Sequence, residues 1–561
     1  MKYKRLGDLL VAAGAIKEED LNRALTIQKE SKERLGDVLI NNGIISEKDL
    51  IEALELQLGV EFADLSKTPI SPDVTKGIPK AVAVKYDLVP VKVQGNNLFI
   101  AMRDPLNCPA MEDIKRMTGK HVIPMISTAT GIERAIATLY GNEGAARAIE
   151  ELAKTAEDVE PVEERQDLSD SSESAAPTIR LVNSIIERAI TEQASDIHLE
   201  AREDDMVVRM RVDGILRNVL TVPKNLESSV IARLKVMGDM NTSERRVPQD
   251  GRANVTRHKQ DYDLRISTLP TIYGEKMVIR ILDKSGKILT REGIGMDEYN
   301  EALFNKLLLN QSGVILICGP TGSGKSTTMS TMVRELNTES VNIVTLEDPV
   351  EYNTVGVNQV QINEATGMTF ANGLRAILRQ DPDIISVGEI RDGETAEIAM
   401  RAAITGHLVL STIHTNDAAS TVDRLFDIGT PAYLTAAALK GVIAQRLVRK
   451  ICPNCKEEYE PSEEELELLG MKRVPDMKFA RGKGCPMCFH TGYKGRTAVY
   501  EIFVVDSRIR EDINKRADHD VLVNDAKIGG FKSIGDRCRE LVLQGVTTSE
   551  DATRTIYSTV E

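Results

Sequence analysis

The chain has 561 residues, of which 42% are hydrophobic and 4% aromatic with no tryptophan, so about three to five domains with mainly aliphatic cores are expected. Its 71 Lys and Arg against 85 Asp and Glu give a formal net charge of −14, which argues against a general nucleic-acid-binding surface. It contains no apolar run near the roughly 20 residues that span a bilayer, and its first residues lack the apolar core of a signal peptide, so we expect a cytoplasmic protein without direct membrane insertion.

A repeat occupies the N-terminus, where residues 5–28 and 34–57 are identical at 13 of 24 positions with an offset of 29. Each copy predicts a short helix, a turn at Gly14 or Gly43, and a second helix. One interpretation is a duplicated helical scaffold with Arg5 and Arg34 on solvated faces. The other is a ligand site, because a guanidinium beside a turn glycine suits a phosphate or a guanine edge.

The repeat resembles the cyclic di-GMP-binding MshEN domain found at the front of some secretion and pilus ATPases. In both, two Arg-Leu-Gly…Gly…Leu…Leu…Gln units flank a five-residue spacer, here residues 29–33, and Ala15 stands where a larger aliphatic residue is usual. The resemblance implies a domain over residues 1–145, mainly helical at first and α/β in its second half, with cyclic di-GMP as a regulatory ligand. It implies ligand contacts at Arg5, Leu6, Gly7, Gly14, Leu25, Gln28, Arg34, Leu35, Gly36, Gly43, Leu54 and Gln57.

An acidic segment follows the N-terminal domain. Residues 150–173 hold ten Asp and Glu against two basic residues. Such a composition cannot bury enough apolar surface to order itself, so residues 146–176 predict a flexible linker.

The next segment, residues 177–288, predicts an α+β middle domain, which we class as PAS-like. Residues 178–191 have helical apolar spacing, 207–219 alternate around an Asp213-Gly214 hairpin turn, and 262–267 and 276–282 are further strands. Several arginines lie here: Arg209, Arg211, Arg217, Arg245, Arg246, Arg252, Arg265 and Arg280. Most are expected to be solvated or structural. In an oligomeric NTPase one or two could reach a neighbouring site as arginine fingers, and Arg211 and Arg217 are the first candidates.

A phosphate-binding loop begins the last domain. The apolar run 314–318 predicts a buried strand, Gly319-x-x-x-x-Gly324-Lys325-Ser326 follows at once, and a helix continues to Leu336. Glycines let backbone N–H groups close around phosphate oxygens, Lys325 can reach the β- and γ-phosphates, and Ser326 can bind Mg²⁺. The predicted nucleotide-binding residues are Gly319, Pro320, Thr321, Gly322, Ser323, Gly324, Lys325, Ser326 and Thr327.

Three later blocks, residues 342–351, 383–392 and 405–417, are each a buried strand bordered by acids or histidines. Because ligands bind at the carboxyl ends of parallel strands, Glu347, Glu389 and His414 are expected to converge near Lys325. Glu389 is a candidate to hold Mg²⁺ or polarise the nucleophile, and Glu347 to position water. His407 and His414 could sense the γ-phosphate or link the site to the next subunit.

Four cysteines form two C-x-x-C pairs, Cys452/Cys455 and Cys485/Cys488, with 29 residues between the pairs. Two such knuckles can complete a tetrahedral four-sulfur site, so we predict structural Zn²⁺ in a subdomain at about residues 445–500. The remaining cysteines, Cys108, Cys318 and Cys538, are expected to be ordinary buried residues.

The four blocks from the phosphate loop to His414 resemble, in order, the Walker A, Asp box, Walker B and His box of the secretion ATPase superfamily, the GspE/PilB family of type II secretion and type IV pilus motors. The resemblance covers residues 177–561 and implies a RecA-like ATPase domain over 289–561. Arg375 and Arg379 fall where that family has further arginines, so the resemblance adds them to the arginine-finger candidates, with a role in phosphate contact between subunits. The resemblance also implies a homo-hexamer on a polytopic platform protein of the inner membrane, with pilus assembly favoured and type II secretion as the alternative.

Two other classes of function remain open at this point. A nucleotide-switched signalling module with negligible turnover is disfavoured by the acids Glu347 and Glu389. A nucleic-acid translocase is disfavoured by the net charge of −14.

Overall fold

The computed structural model describes residues 16–31, 60–65, 72–105, 107–140, 177–257, 260–283 and 290–558, and isolated residues at 10, 11, 35, 38, 39, 42, 44, 45, 51, 55, 68 and 70. Two compact units are formed by Met1–Leu282 with Lys483–Gly492, and by Asp283–Gly482 with Tyr493–Glu561. The predicted domain limits at 145, 176 and 288 adjoin or lie outside the described residues, so those boundaries stay predictions.

The N-terminal part contains helices around a three-stranded sheet of order β1-β2-β3. The acids Glu18, Glu19 and Asp20 favour a helix start at the first element because they face the positive end of its dipole. The elements are α1 (Glu18–Ser31), a 3-10 helix (Pro72–Gly77), α2 (Lys80–Tyr86), β1 (Leu88–Gln94), β2 (Asn97–Met102), α3 (Cys108–Thr118), β3 (His121–Ile126) and α4 (Ala129–Tyr140). Cys108, expected to be buried, is exposed, because it is the first residue of α3.

The middle domain is a six-stranded sheet of order β6-β5-β4-β9-β8-β7, packed on two helices. Asp213 and Gly214 have φ values of 50° and 84° and form the predicted hairpin turn, while β4, β7 and the second helix were not predicted. The elements are α5 (Pro177–Thr191), β4 (Asp196–Ala201), β5 (Asp205–Val212), β6 (Ile215–Pro223), α6 (Lys224–Met237), β7 (Gln249–Arg257), β8 (Gln260–Thr271) and β9 (Gly274–Asp283).

The last domain is built on a seven-stranded sheet of order β12-β11-β13-β14-β10-β15-β18, in which β18 alone is paired antiparallel. Its central strands are apolar on both faces, as a parallel sheet covered by helices on both sides requires. The elements up to the sixth strand are α7 (Glu298–Leu308), β10 (Gly313–Cys318), α8 (Lys325–Leu336), β11 (Ile343–Glu347), β12 (Asn358–Gln361), a 3-10 helix (Glu364–Thr366), α9 (Phe370–Ile377), β13 (Ile384–Val387), α10 (Gly393–Ile404), β14 (Leu408–Ile413), α11 (Ser420–Asp427), α12 (Ala432–Ala438) and β15 (Leu439–Ile451).

The predicted insertion between the cysteine pairs is a small module with its own two-stranded sheet, β16-β17. Four helices follow the last strand of the large sheet. These elements are β16 (Lys456–Tyr459), α13 (Glu463–Leu468), β17 (Phe479–Gly482), a 3-10 helix (Pro486–Cys488), β18 (Tyr493–Val504), α14 (Ser507–Lys515), α15 (His519–Ile528), α16 (Ile534–Leu543) and α17 (Ser549–Tyr557).

One buried carboxylate joins the large sheet to these C-terminal helices. Glu501 on β18 is 4% exposed; its Oε1 accepts from the backbone N–H of Ala418 at 2.8 Å and its Oε2 from that of Ile534 at 2.9 Å. Burial raises the pKa of Glu501, and the two N–H donors oppose that change. The side chain therefore fixes the segment after β14 relative to the start of α16.

Candidate nucleotide-binding site

The phosphate loop, residues 319–324, leads directly from β10 into α8. Gly319, Gly322 and Gly324 have φ values of 144°, 79° and 90°, a region that favours glycine. A Cβ on Gly319 would lie 2.5 Å from the carbonyl oxygen of Gln445, so the loop also needs glycine there for space. The fold thus forms the backbone cradle that the spacing predicts.

Lys325, the first residue of α8, lies against this cradle. Its Nζ donates to the carbonyl oxygens of Gly319 at 2.7 Å and Pro320 at 3.1 Å. Burial lowers the pKa of Lys325, and the opposing attraction of Glu389 does not reverse that change. The hydroxyl of Ser323 is buried and has no hydrogen-bond partner among the described residues. A half-buried amine and a buried, unpartnered hydroxyl beside a glycine loop at a helix N-terminus fit the phosphates of a nucleotide.

The expected acids lie at the same edge of the sheet. Glu347 ends β11, Glu389 follows β13 by two residues, and His414 follows β14 directly. The Nε2 of His414 is 3.4 Å from Oε2 of Glu389, and Arg391 also contacts the Glu389 carboxylate. The parallel register pairs Cys318 with Ile413, so His414 begins at the level of the phosphate loop.

Glu347 is oriented by its own neighbours. Its Oε1 accepts from the Thr345 hydroxyl at 2.6 Å and from Nε2 of Gln359 at 2.8 Å. These two bonds leave the second oxygen of Glu347 available among the described contacts. A fixed carboxylate of this kind is suited to orient a water molecule.

His407 lies at the opposite end of β14. Its Nδ1 is 2.8 Å from the carbonyl oxygen of Ala402, and its own carbonyl accepts from the backbone N–H of Gly313 at 3.1 Å. The whole of β14 separates it from His414, so the structure does not bring His407 to the phosphate loop. The two histidines were expected to bracket one strand, and the position of His407 is poorly suited to sensing a phosphate in this chain.

The four arginine-finger candidates make local contacts within their own domains. In the middle domain, Arg211 is 3.7 Å from Asp196, and Arg217 is 3.8 Å from Glu192. In the last domain, Nη2 of Arg375 donates to Glu394 at 2.5 Å, and Nη1 of Arg379 donates to the carbonyl of Arg375 at 2.9 Å. Their action between subunits stays a prediction.

Sequence reasoning missed two residues of β15 that touch the loop. Gln445 accepts from the hydroxyl of Thr328 on α8 at 2.8 Å, and Nη1 of Arg446 is 3.2 Å from where a Cβ on Gly319 would lie. The register of β10 with β15, which pairs Cys318 with Ala444, carries these residues past the end of β10. The sequence holds no signal for this, because β15 lies more than 100 residues beyond the loop.

The two cysteine pairs come together. Their four sulfur atoms all lie within 4.8 Å of one another, those of Cys452, Cys455, Cys485 and Cys488. Sulfurs bound to one tetrahedral Zn²⁺ at about 2.3 Å would be about 3.8 Å apart. The Sγ atoms of Cys485 and Cys488 are 3.8 Å apart, and the backbone N–H of Gly492 donates to Cys488 Sγ at 3.2 Å. The donor set therefore fits zinc.

Most of the expected cyclic di-GMP contacts lie outside the described residues. Leu25 is 37% exposed on α1, where Leu21 and Ala24 are buried, and Gln28 and Leu35 are half-buried. The residues not described are Arg5, Leu6, Gly7, Gly14, Arg34, Gly36, Gly43, Leu54 and Gln57. Their contacts with a ligand stay predictions.

A glycine-rich phosphate loop on a largely parallel sheet, with acids and a histidine at neighbouring strand ends, defines a P-loop ATPase. Sequence comparison agrees: the family described as "Type II/IV secretion system protein" matches residues 171–554, and the MshEN domain matches residues 58–146. The chain belongs to the type II/IV secretion system protein family. The predicted fold class and the expected ATPase activity are confirmed, whereas the MshEN match begins after the repeat.

Relatives align over most of the chain. The type IV pilus assembly ATPase PilB of Myxococcus xanthus is 39% identical over 556 residues, 98% of each protein. The type II secretion system protein E of Pseudomonas aeruginosa is 42% identical over 465 residues, 81% of this chain and 91% of the relative. PilB of Thermus thermophilus is 40% identical over 502 residues, 88% of this chain, but the match spans only 56% of that longer relative.

Among solved structures, the ATPase DotB of Yersinia pseudotuberculosis superposes with a TM-score of 0.51 at 20% identity, covering 71% of this chain and 100% of that one, which supports the fold alone. Among the described residues, no helix combines the length and the apolar character that crossing a bilayer demands.

The site predicts that Lys325→Ala abolishes hydrolysis. The substitution removes the cation that can reach the β- and γ-phosphates, so turnover is expected to fall by at least about 100-fold, with unchanged far-UV circular dichroism. Steady-state phosphate release by the full-length protein measures it, with Lys306→Ala on the exposed face of α7 as the control. Turnover within threefold of the parent protein would place the phosphate site elsewhere.

Proposed function

We propose that this chain is the ATP-hydrolysing motor of type IV pilus assembly, which drives pilin extraction and filament extension. The observation that carries the proposal is the alignment with the pilus assembly ATPase of Myxococcus xanthus over 98% of both chains. The N-terminal region takes part in that alignment, whereas the match to the secretion protein of Pseudomonas aeruginosa covers 81% of this chain.

In the proposed reaction, the glycine loop and Lys325 hold the β- and γ-phosphates of ATP. Ser326 and Glu389 are the proposed ligands of Mg²⁺, which when bound neutralises charge on the phosphate oxygens. Glu347, held by Thr345 and Gln359, orients the attacking water. His414 senses the γ-phosphate and transmits its presence to Glu389 through their 3.4 Å contact. Arg211, Arg217, Arg375 and Arg379 are candidates to stabilise the phosphates of a neighbouring subunit.

The proposed assembly is a homo-hexameric ring at the cytoplasmic face of the inner membrane. There it acts on a polytopic platform protein and other components of the pilus machine, and it does not act on nucleic acid. Closure of the middle and ATPase domains on ATP would push the platform protein. The assignment of ring and platform rests on membership of the family.

Cyclic di-GMP is the proposed regulatory ligand of the N-terminal domain. Two observations support it: the MshEN match over residues 58–146 and the two Arg-Leu-Gly units that precede that match. A pair of arginines is suited to the two guanines or two phosphates of such a ligand.

The alternative function is that of a type II secretion ATPase. It is favoured by the 42% identity to the secretion protein of Pseudomonas aeruginosa over 91% of that relative.

Replacing Lys325 by Ala on the chromosome of the host separates the two functions. Because the variant leaves the motor without hydrolysis, we expect surface pili to disappear from electron micrographs while the secreted protein profile stays unchanged. A strain that carries Lys306→Ala should keep its pili. Loss of secreted proteins with pili intact would instead establish the secretion ATPase.

Regulation is tested by ATP turnover of the full-length protein, on material checked for ring assembly, with and without micromolar cyclic di-GMP. We expect a change of at least about twofold, because ligand binding that differs between two motor states must shift their populations. Cyclic di-AMP, which lacks the guanine edge, is the matched control.

Each negative result has its own meaning. Turnover that responds equally to both dinucleotides, or to neither, contradicts cyclic di-GMP regulation. Stimulation by single-stranded DNA would favour a translocase, and the absence of turnover under all conditions would favour a nucleotide-switched module.

Zinc is proposed as a structural ion of the four cysteines, since four thiolates leave no open position for catalysis. Removing it with a strong chelator should raise amide hydrogen exchange throughout residues 445–500, while binding of a fluorescent ADP analogue is retained. Metal analysis of the untreated protein should give one zinc per chain. Stoichiometry near zero in folded protein, or unchanged exchange after chelation, is incompatible with this role.

A further inference from the structure

The Arg446 side chain is buried beside the phosphate loop, and none of the site roles described above uses it. It is 4% exposed, and its Nε has no hydrogen-bond partner among the described residues. Its described hydrogen bonds go to main-chain carbonyls: Nη2 donates to Asn416 at 2.7 Å, and Nη1 lies 3.4 Å from Gln445. Glu501 and Asp417 attract the Arg446 guanidinium, but no carboxylate among the described residues forms an ion pair with it. A buried guanidinium paired in this incomplete way is costly, so packing alone is a poor reason for an arginine at this position.

Arg446 lies between two parts of the site, the phosphate loop and the segment that follows β14. Successive residues of a strand point to opposite faces, so Gln445 faces α8 through Thr328 and Arg446 faces the other side of the sheet. Its Nη1 lies 3.2 Å from where a Cβ on Gly319, the residue after β10, would be. Its far end reaches Asn416, in the segment that follows β14.

The segment reached by Arg446 carries His414. Asn416 comes two residues after His414, whose Nε2 lies 3.4 Å from the Glu389 carboxylate. The next residues are fixed as well: Cys318 Sγ lies 3.3 Å from the carbonyl oxygen of Asp417, and Glu501 accepts from the Ala418 N–H at 2.8 Å. Arg446, like Cys318, thus connects the start of the phosphate loop with the segment that holds His414: its guanidinium lies beside Gly319 and donates to Asn416.

We propose that Arg446 is a positioning residue for ATP hydrolysis, which sets His414 and Glu389 at the correct distance from the phosphate loop. In this role it acts through the segment at Asn416 and its position beside Gly319, and not by contact with the substrate or the reacting atoms. Displacement of a catalytic group by about 1 Å is enough to lower turnover by up to about 100-fold. The inference rests on the ATP-hydrolysing site proposed above.

The test compares Arg446→Met and Arg446→Lys in the full-length protein. For Arg446→Met we expect kcat to fall by roughly 10- to 100-fold, while KM for ATP and the Kd of a fluorescent ADP analogue change by less than about threefold. Arg446→Lys should recover part of kcat, because an ammonium can still donate to the Asn416 carbonyl. Arg449→Met is the matched control. Arg449 lies three residues further along the same strand, and the substitution removes its 2.7 Å ion pair with Asp551. Its kcat should stay within about threefold of the parent.

A double-mutant cycle shows whether Arg446 acts through His414. If it does, Arg446→Met combined with His414→Ala should lower kcat little more than the worse single variant. The proposal is overturned if the two losses multiply, if Arg446→Met raises KM alone, or if Arg449→Met lowers kcat equally.

Two further outcomes are also decisive. If Arg446→Met does not fold, the same cycle with Arg446→Lys decides on the same criteria. If the parent protein shows no turnover, the proposed function fails; if the parent turns over and Arg446→Met matches it, only the role of Arg446 fails.

Discussion

The site depends on the register of the strands on either side of β10. Parallel pairing places Cys318 beside Ile413 on one side and beside Ala444 on the other. That alignment puts the residues that follow β14, and those that continue β15, at the level of the phosphate loop. A shift of either strand by one residue would also turn its side chains to the opposite face of the sheet. The two hydrophobic clusters that cover the faces of the sheet therefore hold this register. They determine which residues reach the phosphate loop, in addition to stabilising the domain.

The sequence was sufficient for the parts of the site that are local in the chain. The glycine spacing, the apolar strand before it and the helical pattern after it are adjacent in the chain and together predict a phosphate loop. The sequence alone therefore predicts the cradle around Lys325. Glu389 and His414 could be placed because a strand that ends in a polar residue exposes that residue at a known edge of the sheet. His407 shows the limit of this reasoning: it adjoins the same strand, but at the end away from the phosphate loop.

What the sequence could not give is contact between distant segments. Gln445 and Arg446 occupy a long apolar strand without a motif, and only the pairing of β15 with β10 shows that they reach Gly319. The hydrogen bond from Gln359 to Glu347 also depends on the pairing of β12 with β11. The C-x-x-C pairs are the exception, because thiolate spacing carries its own geometric requirement, and the sulfurs meet across a 29-residue insertion.

Glu501 couples the movements of two segments of the ATPase domain. One carboxyl group accepts from the main-chain N–H groups of Ala418 and Ile534, so neither segment can move away from it without leaving a buried polar group without its hydrogen bond. Each oxygen of this buried carboxylate accepts one of the two bonds, so the side chain holds the loop after β14 and the first turn of α16 together at one point. A displacement of that loop would therefore be passed on to the C-terminal helices.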